Sequence, residues 1–187
     1  MNRYRAEVFD WCALGALTAL VYSTLGVART VYDWLTHLGL GDVMRMGILA
    51  AVVAVPAGIA LWLLFVARVR RPAHFLGLAA LVAAYAMALV WLAKMPIERI
   101  HLLEYGAIGL LAFRALRHRF EQADQAILAA LVSLNVGLGD ELIQDLLPRR
   151  FYDTKDVLAN CLAALLAIAA AVIVSRARAM RATPRAS

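Results

Sequence analysis

Residues 46–67, MGILAAVVAVPAGIALWLLFVA, run for 22 positions without a single charge. A helix rising 1.5 Å per residue needs about 20 apolar residues to cross about 30 Å of hydrocarbon, so this stretch has the length and chemistry of a membrane span. The same reading outward along the chain finds five more candidates, at 8–28, 74–93, 97–116, 124–142 and 154–175. Composition agrees: 64% of the 187 residues are hydrophobic, against about 45–50% in an ordinary globular domain. The expected fold is all-α, a polytopic bundle of about six transmembrane helices. Asp10 interrupts the start of the first apolar run, and no small-residue cleavage pattern closes it, so that segment reads as a retained span.

Basic residues orient the bundle, because they accumulate in cytoplasmic loops. With a cytoplasmic N-terminus, Arg3, Arg5, Arg68, Arg70, Arg71, Arg114, Arg117, Arg119, Arg176, Arg178, Arg181 and Arg185 fall inside, 12 of the 19 basic residues. Arg29, Arg45, Lys94, Arg99, Arg149, Arg150 and Lys155 fall outside. Both termini are therefore expected in the cytoplasm. Trp11 and Trp62 then lie near the inner interface, and Trp34 and Trp91 near the outer one. The net charge of +6 is accounted for by inner loops facing anionic inner-leaflet lipids, and no nucleic-acid partner is expected. Cys12 and Cys161 lie at opposite depths, so they read as small apolar fillers. Val31, Trp34, Leu35 and Leu38, beside Asp33 and His37, predict a short helix lying in the outer interface.

Against this apolar background the polar residues of the last three spans stand out. Glu98, His101, Glu104 and Tyr105 open the fourth; Asp140, Glu141 and Gln144 close the fifth; Arg149, Arg150, Asp156 and Asn160 lead into the sixth. All share the outer level. Ionisable groups at membrane depth cost several kcal/mol and face the bundle interior, where they mark functional sites. Glu98, His101 and Tyr105 are spaced three and four apart on one helical face with Glu104 at its border, and Asp140 and Gln144 share another. Asp156 and Asn160 continue into Ala163, Ala167 and Ala171, a small-residue stripe that lets a neighbouring helix come close. Three helices meeting around an outward-opening polar pocket satisfy all of these spacings.

The stretches PIERIHLLEYGAIGLL (96–111) and GDELIQDLLPRRFYDTKDVLAN (139–160) together resemble the paired signature of VanZ-like membrane proteins. The resemblance covers about the last 90 residues. In that family a His and a Tyr four residues later open one helix, an acidic pair and a Gln close the next, and an Arg, an Asp and an Asn follow. The matching positions are His101, Tyr105, Asp140, Glu141, Gln144, Arg150, Asp156 and Asn160. This chain departs from the pattern at Arg149 and at Ala163 and Ala164, where the family commonly has glycine. The founding member is associated with low-level resistance to the lipoglycopeptide teicoplanin, so the resemblance implies a bacterial inner-membrane protein acting on the cell envelope. The chain then divides into three N-terminal spans with the interfacial helix (1–95), a VanZ-like three-helix region (96–176) and a basic cytoplasmic tail (177–187).

His101, Asp140, Glu141 and Arg150 are the expected reactive or binding centre, oriented by Glu98, Glu104, Tyr105, Gln144, Arg149, Asp156 and Asn160. A histidine between carboxylates suits proton transfer, and guanidinium groups clamp phosphate or carboxylate. The implied ligand is a membrane lipid or a lipid-linked envelope intermediate. No HExxH, P-loop or GxSxG is present, so neither metal nor cofactor is expected. Two other readings stand beside this one: a non-enzymatic binding or accessory subunit, and a proton-coupled transporter using Asn135, Asp10, Thr18, Tyr22, Ser23 and Thr24. The structural alternative is that Asp140, Glu141 and Asp156 merely pair with Arg99, Arg149 and Arg150 to fix helix register.

Overall fold

The computed structural model describes residues 2–65, 72–91, 96–148 and 151–182. Among them the chain is entirely helical, without strands: α1 (Arg3–His37), α2 (Gly41–Phe65), α3 (Pro72–Trp91), α4 (Pro96–Leu116), α5 (Gln122–Asp145) and α6 (Thr154–Ala182). Each element covers one of the apolar runs read from the sequence, although residues 66–67 and 92–93, which end the second and third runs, lie outside the described residues. Pro72 and Pro96 each stand at the first helical position, where a missing N–H costs nothing and φ is already helical. By length and apolarity, α1, α5 and the Thr154–Ala177 part of α6 can cross a membrane; Phe75–Trp91 of α3 is apolar but shorter.

No separate helix forms around residues 31–38. Neither glycine nor proline occurs between Gly26 and Gly39, so α1 continues unbroken to His37. At 1.5 Å per residue its 35 residues extend about 52 Å, well beyond a hydrocarbon core of about 30 Å. Its stop is chemical: Gly39 takes φ +79°, its N–H bonds Thr36 O at 3.0 Å, and Leu40 N–H bonds Leu35 O at 2.9 Å. That paired closure is the Schellman motif, which requires the left-handed conformation glycine adopts without strain.

The most charged of the apolar runs forms the centre of the bundle. α4 packs against α1, α2, α5 and α6, and α3 packs on α6. Leu102, Tyr105, Ile108, Ala112, Phe113, Ala115 and Leu116 of α4 are all buried, whereas Leu20, Val53, Leu76, Met87, Val90 and Ile127 on other helices are exposed. The polar groups of α4 lie toward its two ends, which leaves its middle free for the apolar core. Such extensive apolar exposure is unusual on a soluble monomer and fits a lipid-facing periphery.

Small residues bring α4 and α6 together. A Cβ placed on Gly109 would lie 2.8 Å from Ala164 O and 2.9 Å from Ala164 Cα, while Gly106 faces Ala163 and Ala167. The alanine stripe of α6 and the glycines of α4 thus form one seam. Gly109→Ala is predicted to destabilise the fold by about 1–3 kcal/mol, because the new methyl meets backbone that cannot rotate away. Gly15→Ala, with nothing within 4 Å of the added carbon, is the control and should be neutral or slightly stabilising. Thermal unfolding in detergent measures both, and equal midpoints for Gly109→Ala and the parent would contradict the seam.

Candidate functional site

The helical faces anticipated from spacing do converge. Tyr105 on α4 donates its hydroxyl to Asp140 Oδ2 on α5 at 2.8 Å. Gln144, one turn further along α5, donates to Asp140 Oδ1 at 3.2 Å and to Glu141 Oε1 at 2.9 Å. The remaining oxygen of Glu141 accepts the Asp153 N–H at 3.0 Å. Tyr105, Asp140, Glu141 and Gln144 are all buried, Asp140 with 0% exposure. Burial of carboxylates is tolerable only because hydrogen bonds replace the lost water.

His101 completes the α4 side. Its Nδ1 lies 3.2 Å from Glu104 Oε2 and 3.8 Å from Asp140 Oδ2. Both are ion-pair distances, but Nδ1 lacks the alignment of a hydrogen bond to any described group. The imidazole therefore stands between two carboxylates, nearer to Glu104, an arrangement suited to moving a proton. From α6, Asp156 is close enough for its charge to act on both His101 and Glu141.

Asn160 is different in kind. It is 1% exposed, and neither its Nδ2 nor its Oδ1 has a hydrogen-bond partner among the described residues. Gly137 sits between it and the rest of the site: a Cβ there would be 3.4 Å from Asn160 Cβ and 3.5 Å from Tyr105 Cε1. Each unmet buried polar group costs about 1–3 kcal/mol, so this amide weakens the fold unless something meets it.

Two contributors were not singled out for this site from sequence. Tyr22 of α1 donates to Val136 O at 2.7 Å, the same carbonyl that lies 3.5 Å from the Tyr105 hydroxyl. The approach depends on Gly139, where a Cβ would be 2.5 Å from the Tyr22 hydroxyl oxygen. Asp153 caps α6, its carboxylate accepting the Lys155 N–H at 2.8 Å, while its own N–H holds Glu141. An Asp ahead of a helix start is a legible capping signal and could have pointed to it. Glu98 lies on the first turn of α4, but its side chain, like Arg149 and Arg150, lies outside the described residues.

A second polar cluster lies toward the other end of α4. Asp10 of α1, 1% exposed, faces Arg114 Nε at 2.7 Å, Arg117 Nη2 at 3.3 Å and His118 Nε2 at 2.9 Å. Arg119 pairs with Glu7, and Arg3 donates to the His118 carbonyl. These contacts latch α1 to α4. Asn135, also weighed for a transport path, is exposed and donates to Leu131 O of its own helix at 2.8 Å. Ser133, deep in α5, bonds Ala129 O at 2.8 Å. Between the two clusters α4 contributes buried Ile108, Ala112 and Phe113.

The site is thus a half-buried imidazole, four carboxylates, two phenols and two side-chain amides at one end of a four-helix core. Among the described residues no three His, Cys, Asp or Glu side chains converge to hold a metal ion. The chain matches no protein-family model, no curated protein and no solved structure. Removal of the Tyr105 hydroxyl tests the network directly. Tyr105→Phe is predicted to cost about 1–3 kcal/mol, the penalty for stripping a donor from a buried carboxylate. Thermal unfolding reads this, and a midpoint matching the parent would show that Asp140 does not depend on the bond.

Proposed function

We propose that this is a six-span, VanZ-like protein of the bacterial inner membrane, with both termini cytoplasmic. The polar pocket opens at the extracytoplasmic face and binds a membrane lipid or lipid-linked envelope intermediate. The unpartnered amide of buried Asn160, set beside Tyr105 in a carboxylate and imidazole network, carries this reading. A group that lowers stability and completes no internal bond is what a binding site keeps for its ligand.

The chemistry of the described residues narrows the ligand. Glu104, Asp140, Glu141 and Asp156 outnumber the single imidazole, so the pocket favours hydroxyl or amine hydrogens over a bare phosphate. Arg149 and Arg150, in the sequence between α5 and α6, are the groups suited to an accompanying phosphate. His101, held between Glu104 and Asp140, is the group to pass a proton if the ligand is processed. Transport finds less support, because Asp10 is engaged by three basic side chains and Asn135 by its own helix.

Mass spectrometry of lipid copurified with the parent and with His101→Ala tests the proposal, with both proteins first shown to be monodisperse. A phospholipid or polyprenyl species present in the parent and lost from the variant is the expected result. Identical lipid profiles would instead favour polar groups that only fix helix register.

A further inference from the structure

Beside the site, the outer half of α1 and the turn after α5 flank an open groove of about 330 Å³, in which Gly26, Arg29, Thr30, Asp33 and Pro148 are exposed and Leu25 is buried. Leu25, Gly26, Leu147 and Pro148 supply apolar walls, and Arg29, Thr30 and Asp33 supply polar ones. Leu147 follows Gln144 by three residues and bonds its carbonyl at 3.0 Å, so the groove lies at the His101 end of the bundle. Its volume is at the small end of ligand pockets, about 300–1,000 Å³, which suits a headgroup better than a whole lipid.

The two charges are the informative part. Arg29 and Asp33 are one helical turn apart on the same face, about 6 Å between Cβ atoms, where oppositely charged side chains can pair. Neither makes an ion pair among the described residues. With the base N-terminal to the acid, their order is the less favourable one for pairing along a helix. Both instead line the groove. A groove offering one cation and one anion over an apolar floor is complementary to a zwitterion; an anionic ligand would meet Asp33, and a cationic one Arg29. The depth also fits, since Trp34 adjoins Asp33 and is 60% exposed, as aromatic residues are at the headgroup level.

We propose that this groove seats a zwitterionic headgroup of the phosphoethanolamine type, its phosphate on Arg29 and its ammonium on Asp33, with the glycerol end over Leu25 and Leu147. The proposal rests on the lipid-binding reading above and adds a headgroup seat beside the polar pocket, distinct from it. Phosphocholine keeps the charges but has no N–H to donate to Asp33, so the seat discriminates between the two.

Native mass spectrometry of the full chain in detergent, titrated with phosphatidylethanolamine, phosphatidylcholine and phosphatidylglycerol of identical acyl chains, provides the test. The parent should retain phosphatidylethanolamine best. Arg29→Gln should weaken that retention about tenfold, the equivalent of one charge-assisted hydrogen bond. Asp33→Asn should lower it to the phosphatidylcholine level. Gly26→Phe, which changes no charge and fills the groove from its wall, should reduce retention of all three. Water-soluble glycerophosphoethanolamine separates the sources: displacement of the lipid assigns the free ester as a ligand, no displacement assigns the intact lipid, and both support the seat. Equal retention of the three lipids by the parent, or undiminished phosphatidylethanolamine retention in Arg29→Gln and Asp33→Asn, would overturn it. If those two variants behave as the parent while His101→Ala loses its copurified lipid, the seat alone is refuted and the polar pocket stands.

Discussion

The end of the bundle that holds the candidate site depends on keeping two adjacent carboxylates, Asp140 and Glu141, out of water. Isolated ionised groups cannot be buried without partners. Tyr105 supplies one donor from α4, Gln144 supplies two bonds from the next turn of α5, and the Asp153 N–H supplies another from the start of α6. Each donor belongs to a different structural segment, so satisfying the acidic pair simultaneously sets the height of α4, the end of α5 and the entry into α6. Asp153 couples the last two tightly, since it caps α6 with its carboxylate and clamps Glu141 with its N–H.

The close approach that these bonds require is provided by residues with almost no side chain. Gly109 against Ala164 joins α4 to α6, Gly137 against Asn160 joins α5 to α6, and Gly139 against the Tyr22 hydroxyl joins α5 to α1. At the far end of α4, Asp10 draws Arg114, Arg117 and His118 together and pins the start of α1. His101 and Arg114 are about 20 Å apart along the helix at 1.5 Å per residue. α4 is therefore fixed at both ends by charge and in the middle by packing, which explains how the least uniformly apolar run becomes the central helix.

Much of this was legible in the sequence because two periodicities carry it. Runs of about 20 apolar residues located all six helices, and three- and four-residue spacing placed His101 with Tyr105 and Asp140 with Gln144 on shared faces. The alanine stripe of α6 was legible as a packing face for the same reason. What escaped was what depends on contacts distant in sequence: Tyr22 reaches Val136, and Asp10 reaches α4, through pairings that no local spacing encodes. The unbroken course of α1 was missed because Trp34, Leu35 and Leu38 also suit an interfacial helix, whereas the decisive signal was the missing breaker before Gly39. Arg149 and Arg150, expected at the centre of the site, lie outside the described residues.

Asn160 separates a ligand site from a merely well-bonded helix junction. If its amide is kept for a ligand, replacing it with an apolar residue of similar size removes a cost from the empty fold and a contact from the occupied one. The direct measurement is the unfolding midpoint of delipidated Asn160→Leu and parent protein, before and after addition of a membrane lipid extract. The variant should equal or exceed the parent without lipid, and only the parent should gain stability when lipid is added. A variant destabilised without lipid, or stabilised by lipid as much as the parent, would contradict the account.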